Sequence, residues 1–373
     1  MSTLAVLLKE SWGYIEDRAD DLANNFYARV FFADPSLREL FPVAMTDQRS
    51  RWVQALVSVI QTVDNPDALD EFMDRLGRSH RRFHVEPQHY GVVGVALLAA
   101  LREYAGDRWS IEYDQAWRDA YDTMAIRMLT AAERSTRTPA FWHAEVVAHE
   151  RRARDIAVIT VRPLMTYPFR AGQYVHLEVA QHPREWRTYS IANAPRSDGT
   201  LEFHVRAPAD GWVSSALVRR TEPGDMVRLG PAMGTMTLEF ETDREVVLVA
   251  GGTGLAPILS IVRGAIAEGM DNDIHLYFGV CSERDIYGRE WLAELQRRHA
   301  GLKVHVVVTA GSAPDCRSGL VTEAIARDWQ HLEGFRAYLC GAPPMVEATS
   351  HLIRRMGMQP EQVYADAFYA SGT

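Results

Sequence analysis

Apolar positions change their spacing twice along this chain. Over residues 1–136 they recur every three or four positions, as a single buried helix face requires. Leu4, Leu7, Leu8, Trp12 and Ile15 predict a first helix, and Leu22 to Phe32 a second that carries Phe26, Tyr27, Val30 and Phe31. Asp34-Pro35-Ser36 caps a short helix from Leu37 to Phe41, which Pro42 stops. Asp47 opens a long helix with Trp52, Val53, Leu56, Val57, Ile60 and Val63 on one side, ended at Asn65-Pro66. Leu69 to His84, a helix opened by Pro87, and a last one from Asp114 through Leu129 complete an all-helical domain.

Past the polar stretch Arg134 to Pro139 the period falls to two. Trp142 to Val147, Ile156 to Val161 and Leu201 to Val205 predict strands, and Pro223-Gly224-Asp225, Gly230-Pro231 and Gly234 predict the turns of a small barrel. From residue 243 the pattern changes again. Val246 to Ala250 is continuously apolar, as in a strand buried on both faces of a parallel sheet. Ile274 to Val280, Val304 to Val308 and the strand at Tyr338, with helices between them, extend an α/β alternation. The expected architecture is therefore multidomain: all-α over 1–136, an antiparallel β barrel over 137–242, and an α/β parallel-sheet domain over 243–373.

Composition narrows the class. At 373 residues, with 47% hydrophobic and 24% charged, the chain is long enough for two or three ordinary globular domains. A net charge of −9 argues against a nucleic-acid partner. No apolar run is long enough to span a membrane, and the first residues lack the pattern of a signal peptide. Cys281, Cys316 and Cys340 are too scattered for a disulfide framework or a cysteine metal site. A soluble, reduced, cytoplasmic protein is expected, with small molecules as partners and an oligomeric state the chain does not specify.

Three stretches carry candidate chemistry. Arg187-Thr188-Tyr189-Ser190 sets a cation, an aromatic and hydroxyls within four residues, suited to a flat anionic ligand. The same residues also read as an ordinary strand before the Asn193-Ala194-Pro195 turn. Gly211-Trp212-Val213-Ser214-Ser215 leads from a glycine into a helix start whose free N–H groups suit a pyrophosphate; an ordinary capped helix is the alternative. Gly251-Gly252-Thr253-Gly254-Leu255-Ala256 follows a buried strand and opens a helix, the order expected where backbone must approach a phosphate. At the end of Ile274 to Val280, Glu283 and Asp285 beside a single Arg284 favour a bare ribose over a 2′-phosphate, hence NADH, with NADPH as the alternative. In the helical domain His80 reads alone as an ordinary helix histidine, with His84 and His89 beside it.

Arg187-x-Tyr189-Ser190 resembles the flavin-binding signature of the ferredoxin reductase superfamily, and its longer form resembles the NADH-dependent reductase components of bacterial oxygenases. Gly172-Gln173-Tyr174 is similar to that superfamily's flavin-side strand, although Ala171 stands where proline is usual. Cys340-Gly341-x-Pro343 resembles its nicotinamide-end motif, and Phe368 matches the aromatic that covers the flavin. In the helical part, Asn25 to Phe31, Asp34 to Phe41, Asp47-Gln48-Arg49 and His80-x-x-Phe83-x-Val85-x-Pro87-x-x-Tyr90 resemble the globin domain of bacterial flavohaemoglobins.

The resemblance implies haem b, FAD and NADH. By position it makes His80 the proximal iron ligand, Tyr27 and Gln48 the distal pair, Phe41 the residue packed on the porphyrin and Tyr90 the proximal tyrosine. Arg187, Thr188, Tyr189, Ser190, Tyr174, Gly211, Ser214 and Ser215 would serve FAD, and the glycine turn with Cys340, Gly341 and Phe368 the nicotinamide coenzyme. The implied function is an oxidoreductase passing electrons from NADH through FAD to an oxygen-binding haem, first of all a nitric oxide dioxygenase. The rival expectations are a reductase acting on peroxide, quinone or a small organic acid, and a haem-based redox or gas sensor. Three departures place the chain with the family's divergent branch. Ala132 occupies the usual position of a proximal glutamate, with Glu133 turned about 100° away; Trp52 replaces a distal leucine; and the loop from Phe41 to Asp47 is short.

Overall fold

The computed structural model describes residues 2–238 and 244–369, and its contacts divide the chain into two units, 1–141 and 142–371. Among the described residues the first unit holds α1 (Thr3–Gly13), α2 (Ala19–Ala33), α3 (Thr46–Thr62), α4 (Pro66–His80), α5 (Pro87–Ala105) and α6 (Ile111–Arg134). Leu8, Leu22, Phe26, Val30, Leu101 and Trp117 form its core, and the Trp117 indole N–H donates to Ser11 Oγ at 2.9 Å. Full burial of each such aliphatic or aromatic side chain is worth about 1.5–3 kcal/mol.

The helix ends follow local chemistry more closely than apolar spacing showed. α4 begins three residues before the expected Leu69, because Pro66 supplies a helical φ and the Asn65 side-chain carbonyl accepts the Ala68 N–H at 3.2 Å. It ends at His80, not His84: Arg81–Phe83 tighten into a 3₁₀ turn and His84 takes a left-handed φ of 57°. α6 begins at Ile111 because Ser110 Oγ accepts the Tyr113 N–H at 3.2 Å. The short element before Phe41 is a 3₁₀ helix, Pro35–Leu40. A Cβ on Gly77 would meet the Met128 carbonyl oxygen at 2.3 Å, so glycine there lets α4 lie directly on α6.

The second unit opens with β1 (Trp142–Arg151), β2 (Ile156–Pro163), β3 (Tyr174–Val179), β4 (Arg187–Ser190), β5 (Leu201–Arg206), α7 (Trp212–Arg219) and β6 (Met226–Leu229). The strands are antiparallel in the order β4-β3-β6-β1-β2-β5. An Ile191–Phe203 bridge and an Ala192 N–H to Glu202 carbonyl bond of 2.7 Å join the two edges, giving a nearly closed barrel. Val146, Val175, Leu177, Leu201, Phe203 and Leu217 fill it.

There follow β7 (Val246–Gly251), α8 (Leu255–Ala267), β8 (Ile274–Val280), α9 (Arg289–Arg298), β9 (Leu302–Val308), β10 (Arg317–Ser318), α10 (Val321–Asp328), β11 (Arg336–Gly341), α11 (Pro343–Arg355) and β12 (Val363–Ala367). All six strands are parallel, ordered β10-β9-β8-β7-β11-β12. The chain builds outward from β7 through β10, then returns to place β11 on the other side of β7. Ligands of such sheets bind beyond the strand ends at this reversal. The expected boundary at 242/243 lies outside the described residues. Among the described residues, no helix is long and apolar enough to cross a membrane.

Candidate functional site

In the helical unit, aromatic packing gathers the distal candidates. Tyr27 on α2 is buried, and its ring meets Phe41 edge-on with centroids 5.4 Å apart. Arg38 holds the loop after Phe41 by donating to the carbonyls of Phe41, Pro42 and Val43 at 2.9–3.2 Å. Gln48, in the first turn of α3, donates from Nε2 to the Tyr27 hydroxyl at 3.1 Å. Burial pushes the Tyr27 pKa up despite Gln48 and the Arg49 charge, so the phenol keeps its proton. Trp52 stacks on Phe26 at 4.2 Å, and its ring centroid lies 6.2 Å from that of Tyr27. The indole is part of the aromatic wall around the distal pair.

His80 closes α4 half-buried, with Nδ1 2.7 Å from the Leu76 carbonyl. That contact makes Nδ1 the protonated nitrogen and leaves Nε2 with a free lone pair, the state a metal ligand needs. Burial lowers the His80 pKa and so favours the neutral ring, while the Leu76 bond pulls the other way. The rivals are otherwise engaged: His89 Nδ1 accepts the Glu86 N–H at 3.0 Å, and His84 is exposed. Tyr90 packs beside Met73, Met124, Met128 and Leu76; burial pushes its pKa up to about 12, and the Tyr121 hydroxyl donates to its carbonyl at 2.5 Å. Ala132 carries no acid, and Glu133 is exposed. Among the described residues, no carboxylate bonds His80. A half-buried imidazole with a free Nε2, together with buried Tyr27 and half-buried Gln48 on neighbouring helices, is a donor set that fits haem.

In the barrel, β3 and β4 pair Tyr174 with Ser190, Val175 with Tyr189, and Leu177 with Arg187. Strand alternation puts Arg187 and Tyr189 on one face, with Thr188 and Ser190 on the other. Thr188 is exposed and Ser190 buried, so the four residues do not act from one side. The Tyr174 ring rests on Gly234, where a Cβ would come within 3.0 Å of it. Gly211 precedes α7, and a Cβ on it would meet Ser214 Oγ at 2.2 Å. Ser214 Oγ donates to the Gly211 carbonyl at 3.2 Å, as does the Ser215 N–H at 2.8 Å. The helix is thus capped without a side-chain acceptor, which leaves first-turn N–H groups for an anion. Cation, aromatic and open helix end fit FAD.

At the sheet reversal, glycines let two strand ends touch. A Cβ on Gly254 would meet the Cys340 carbonyl oxygen at 2.3 Å, and one on Gly341, at φ 146°, would meet Gly251 Cα at 2.9 Å. The Phe368 N–H donates to the Gly341 carbonyl at 2.8 Å, so Gly251, Gly254, Cys340, Gly341 and Phe368 form one cluster. Burial pushes the Cys340 thiol pKa well up, so it packs as a thiol and does not act as a nucleophile. Gly252 turns at φ 54° beside half-buried Thr253. Leu255 and Ala256 point into the core, and the Leu255 N–H already bonds the Gly252 carbonyl; these two shape the turn more than they face a ligand. Asp285 is likewise spoken for, accepting the Ser282 N–H and hydroxyl at 2.9 and 2.7 Å. Glu283 is the exposed acid left at that strand end.

Sequence reasoning missed the residues that join barrel and sheet. Ser260 Oγ on α8 donates to the Asn193 carbonyl at 2.8 Å and accepts the Gly172 N–H at 3.0 Å. Arg263 Nη1 reaches the Ala192 carbonyl at 2.9 Å and Glu202 Oε1 at 2.8 Å. Glu202 also meets buried His204 at 3.2 Å, and His204 meets the Tyr287 hydroxyl at 3.0 Å. Arg206 ends β5 with Nη1 3.3 Å from where a Gly252 Cβ would stand, setting a cation at the glycine turn. The signal was present: a serine and an arginine interrupt the otherwise apolar α8, Leu255–Ala267.

Family models match the globin family over residues 24–128, an oxidoreductase FAD-binding domain over 143–238 and an oxidoreductase NAD-binding domain over 248–351. The chain is 28% identical to a flavohaemoprotein of Bordetella pertussis over 398 aligned positions, covering 98% of each. The chain belongs to the flavohaemoglobin family. It is a flavohaemoprotein oxidoreductase with globin haem, FAD and NAD(P)H sites. A flavohaemoglobin crystal structure from Malassezia yamatoensis, with bound FAD and haem, shares the fold at a TM-score of 0.80 over 99% of both chains, with 18% identity. The reductase portion of this flavohaemoglobin is more alike to another group. It is 46% identical over 228 residues to the ferredoxin–NAD(P)⁺ reductase component of naphthalene 1,2-dioxygenase/salicylate 5-hydroxylase systems of Ralstonia, covering 61% of this chain and 69% of that protein.

Proposed function

We propose that this flavohaemoglobin is a nitric oxide dioxygenase that converts nitric oxide and oxygen to nitrate with electrons from NADH. The observation that carries the reading is the Tyr27–Gln48 hydrogen bond of 3.1 Å inside an aromatic wall. When bound, the nicotinamide supplies a hydride, the flavin divides it into single electrons, and the haem supplies the iron at which the diatomic reactants meet. His80, with Nδ1 engaged by the Leu76 carbonyl, would hold that iron through Nε2. Gln48 donates to the Tyr27 oxygen and so orients the phenol, whose own proton is free for a small polar ligand. Phe41, Phe26 and Trp52 exclude water from that donor, which strengthens its hydrogen bond.

In the reductase unit, Arg187 and the α7 amides would hold the FAD phosphates and the Tyr189 ring would offer the flavin an aromatic face. Arg206 and the Gly252 turn would hold the coenzyme phosphates, and Phe368, tied to the Gly341 carbonyl, would line the nicotinamide end of the site. Glu283 favours the bare ribose of NADH. Tyr27→Phe tests the reading. It should lower nitrate formation about tenfold, the worth of one buried hydrogen bond, without changing NADH-driven reduction of an artificial acceptor. An unchanged nitrate rate would remove the distal pair from the mechanism.

A further inference from the structure

Opposite the coenzyme end of the parallel sheet lies a second group of ligating side chains. Glu245 precedes β7, Asp273 precedes β8 and His275 is the second residue of β8. One ligand atom from each lies within 4.8 Å of the other two, and His275 Nε2 stands 3.8 Å from Glu245 Oε2. The His275 side chain is only 8% exposed, and its Nε2 is buried without a hydrogen-bond partner. A buried, unpartnered imidazole nitrogen is costly unless something binds it. The ring is fixed by Trp329, which it meets edge-on at 4.7 Å and 87°. The nitrogen therefore points at the two carboxylates from a set position.

We propose that Glu245, Asp273 and His275 form a divalent transition-metal site of the zinc class at the amino-terminal edge of the nucleotide-binding sheet. One neutral imidazole and two carboxylates are zinc ligands in kind, and metal–ligand distances of about 2.0–2.2 Å need only a small contraction of the cluster. Two carboxylates match the charge of a divalent ion. Lys303 is the resident competitor, with Nζ 2.9 Å from Asp273 Oδ2, and a metal displaces it. The six residues of β7 put the site roughly 20 Å from the glycine turn, so bound metal ties β7 to β8 and leaves coenzyme chemistry untouched.

Equilibrium dialysis of the holoprotein against micromolar free zinc, with metal counted by elemental analysis, tests the site. Wild type should retain one zinc per chain that the isosteric Glu245→Gln/Asp273→Asn double variant holds at least about tenfold more weakly. Lys303→Gln removes the competing ammonium without touching a ligand and should tighten binding by up to about fivefold. Equal zinc content and affinity in wild type and the double variant, no zinc retained by wild type, or weaker binding in Lys303→Gln would each overturn the proposal.

Discussion

The surroundings of His80, the proposed proximal ligand, and the seam between barrel and nucleotide sheet treat polar side chains in opposite ways. In the seam, Glu202 has three partners: Arg263 at 2.8 Å, and His204 and Arg196 each at 3.2 Å. Burial alone would raise its carboxyl, but the His204 hydrogen bond and the Arg263 charge outweigh it and hold the pKa well below the usual range. At His80, by contrast, the ring meets the Leu76 carbonyl at 2.7 Å, and among the described residues no carboxylate bonds it. The seam is a satisfied network that fixes two cofactor motifs in one geometry. As the proposed iron ligand, His80 would lack the anionic push that makes an iron a stronger electron donor.

The sharpest break in this comparison is His80→Ala. It should abolish stoichiometric haem and its Soret band while leaving FAD content and NADH oxidation by an artificial acceptor intact. Haem retained at normal stoichiometry would remove His80 as the ligand. Next in size, Arg187→Ala should weaken FAD binding by about tenfold or more, since hydrogen bonds to charged groups are worth about 1.5–3 kcal/mol. Flavin fluorescence on dilution measures it.

A smaller effect probes the seam. Arg263→Met strips Glu202 of its main cation and should destabilise the protein by about 1–3 kcal/mol, seen as a lower unfolding midpoint. The sign with pH follows from two depressed groups. Burial lowers the pKa of His204 below 6.5 despite Glu202, and Glu202 is held below 4.5. Both contribute stability that is complete above their unfolded pKa values and is lost on acidification. Wild-type stability should therefore fall as pH drops below about 6.5, and further below about 4.5. Arg263→Met should flatten the second fall. A midpoint independent of pH over that window would contradict the account. Smallest of all, Glu283→Gln should change the NADH-to-NADPH preference a few-fold, because the site keeps Arg284 as its nearby cation and Asp285 in its cap.

Much of this was legible from the chain. Period-2 and period-3.6 spacing separates the domains, and continuous apolar strands such as Val246–Ala250 declare a sheet covered on both faces. What stayed hidden was pairwise. Helix ends depended on single caps such as Asn65 and Ser110, which apolar spacing does not report. The functional stretch Arg187 to Ser190 reads as one unit along the chain, yet a strand sends alternate side chains to opposite faces. Ser260 and Arg263 interrupt an apolar helix, and only the folded barrel supplies the Asn193 and Ala192 carbonyls they meet. Trp52 was visible as an odd residue, but its stacking on Phe26 depends on how α2 and α3 pack.

The most direct test of the central claim is nitrate yield per nitric oxide consumed, in oxygenated buffer with NADH and catalytic amounts of the holoprotein. The account predicts one nitrate per nitric oxide over many turnovers, at a rate set by the weakly polarised His80. NADH oxidation without catalytic nitrate would contradict it, and would place the end of the electron path at a different acceptor.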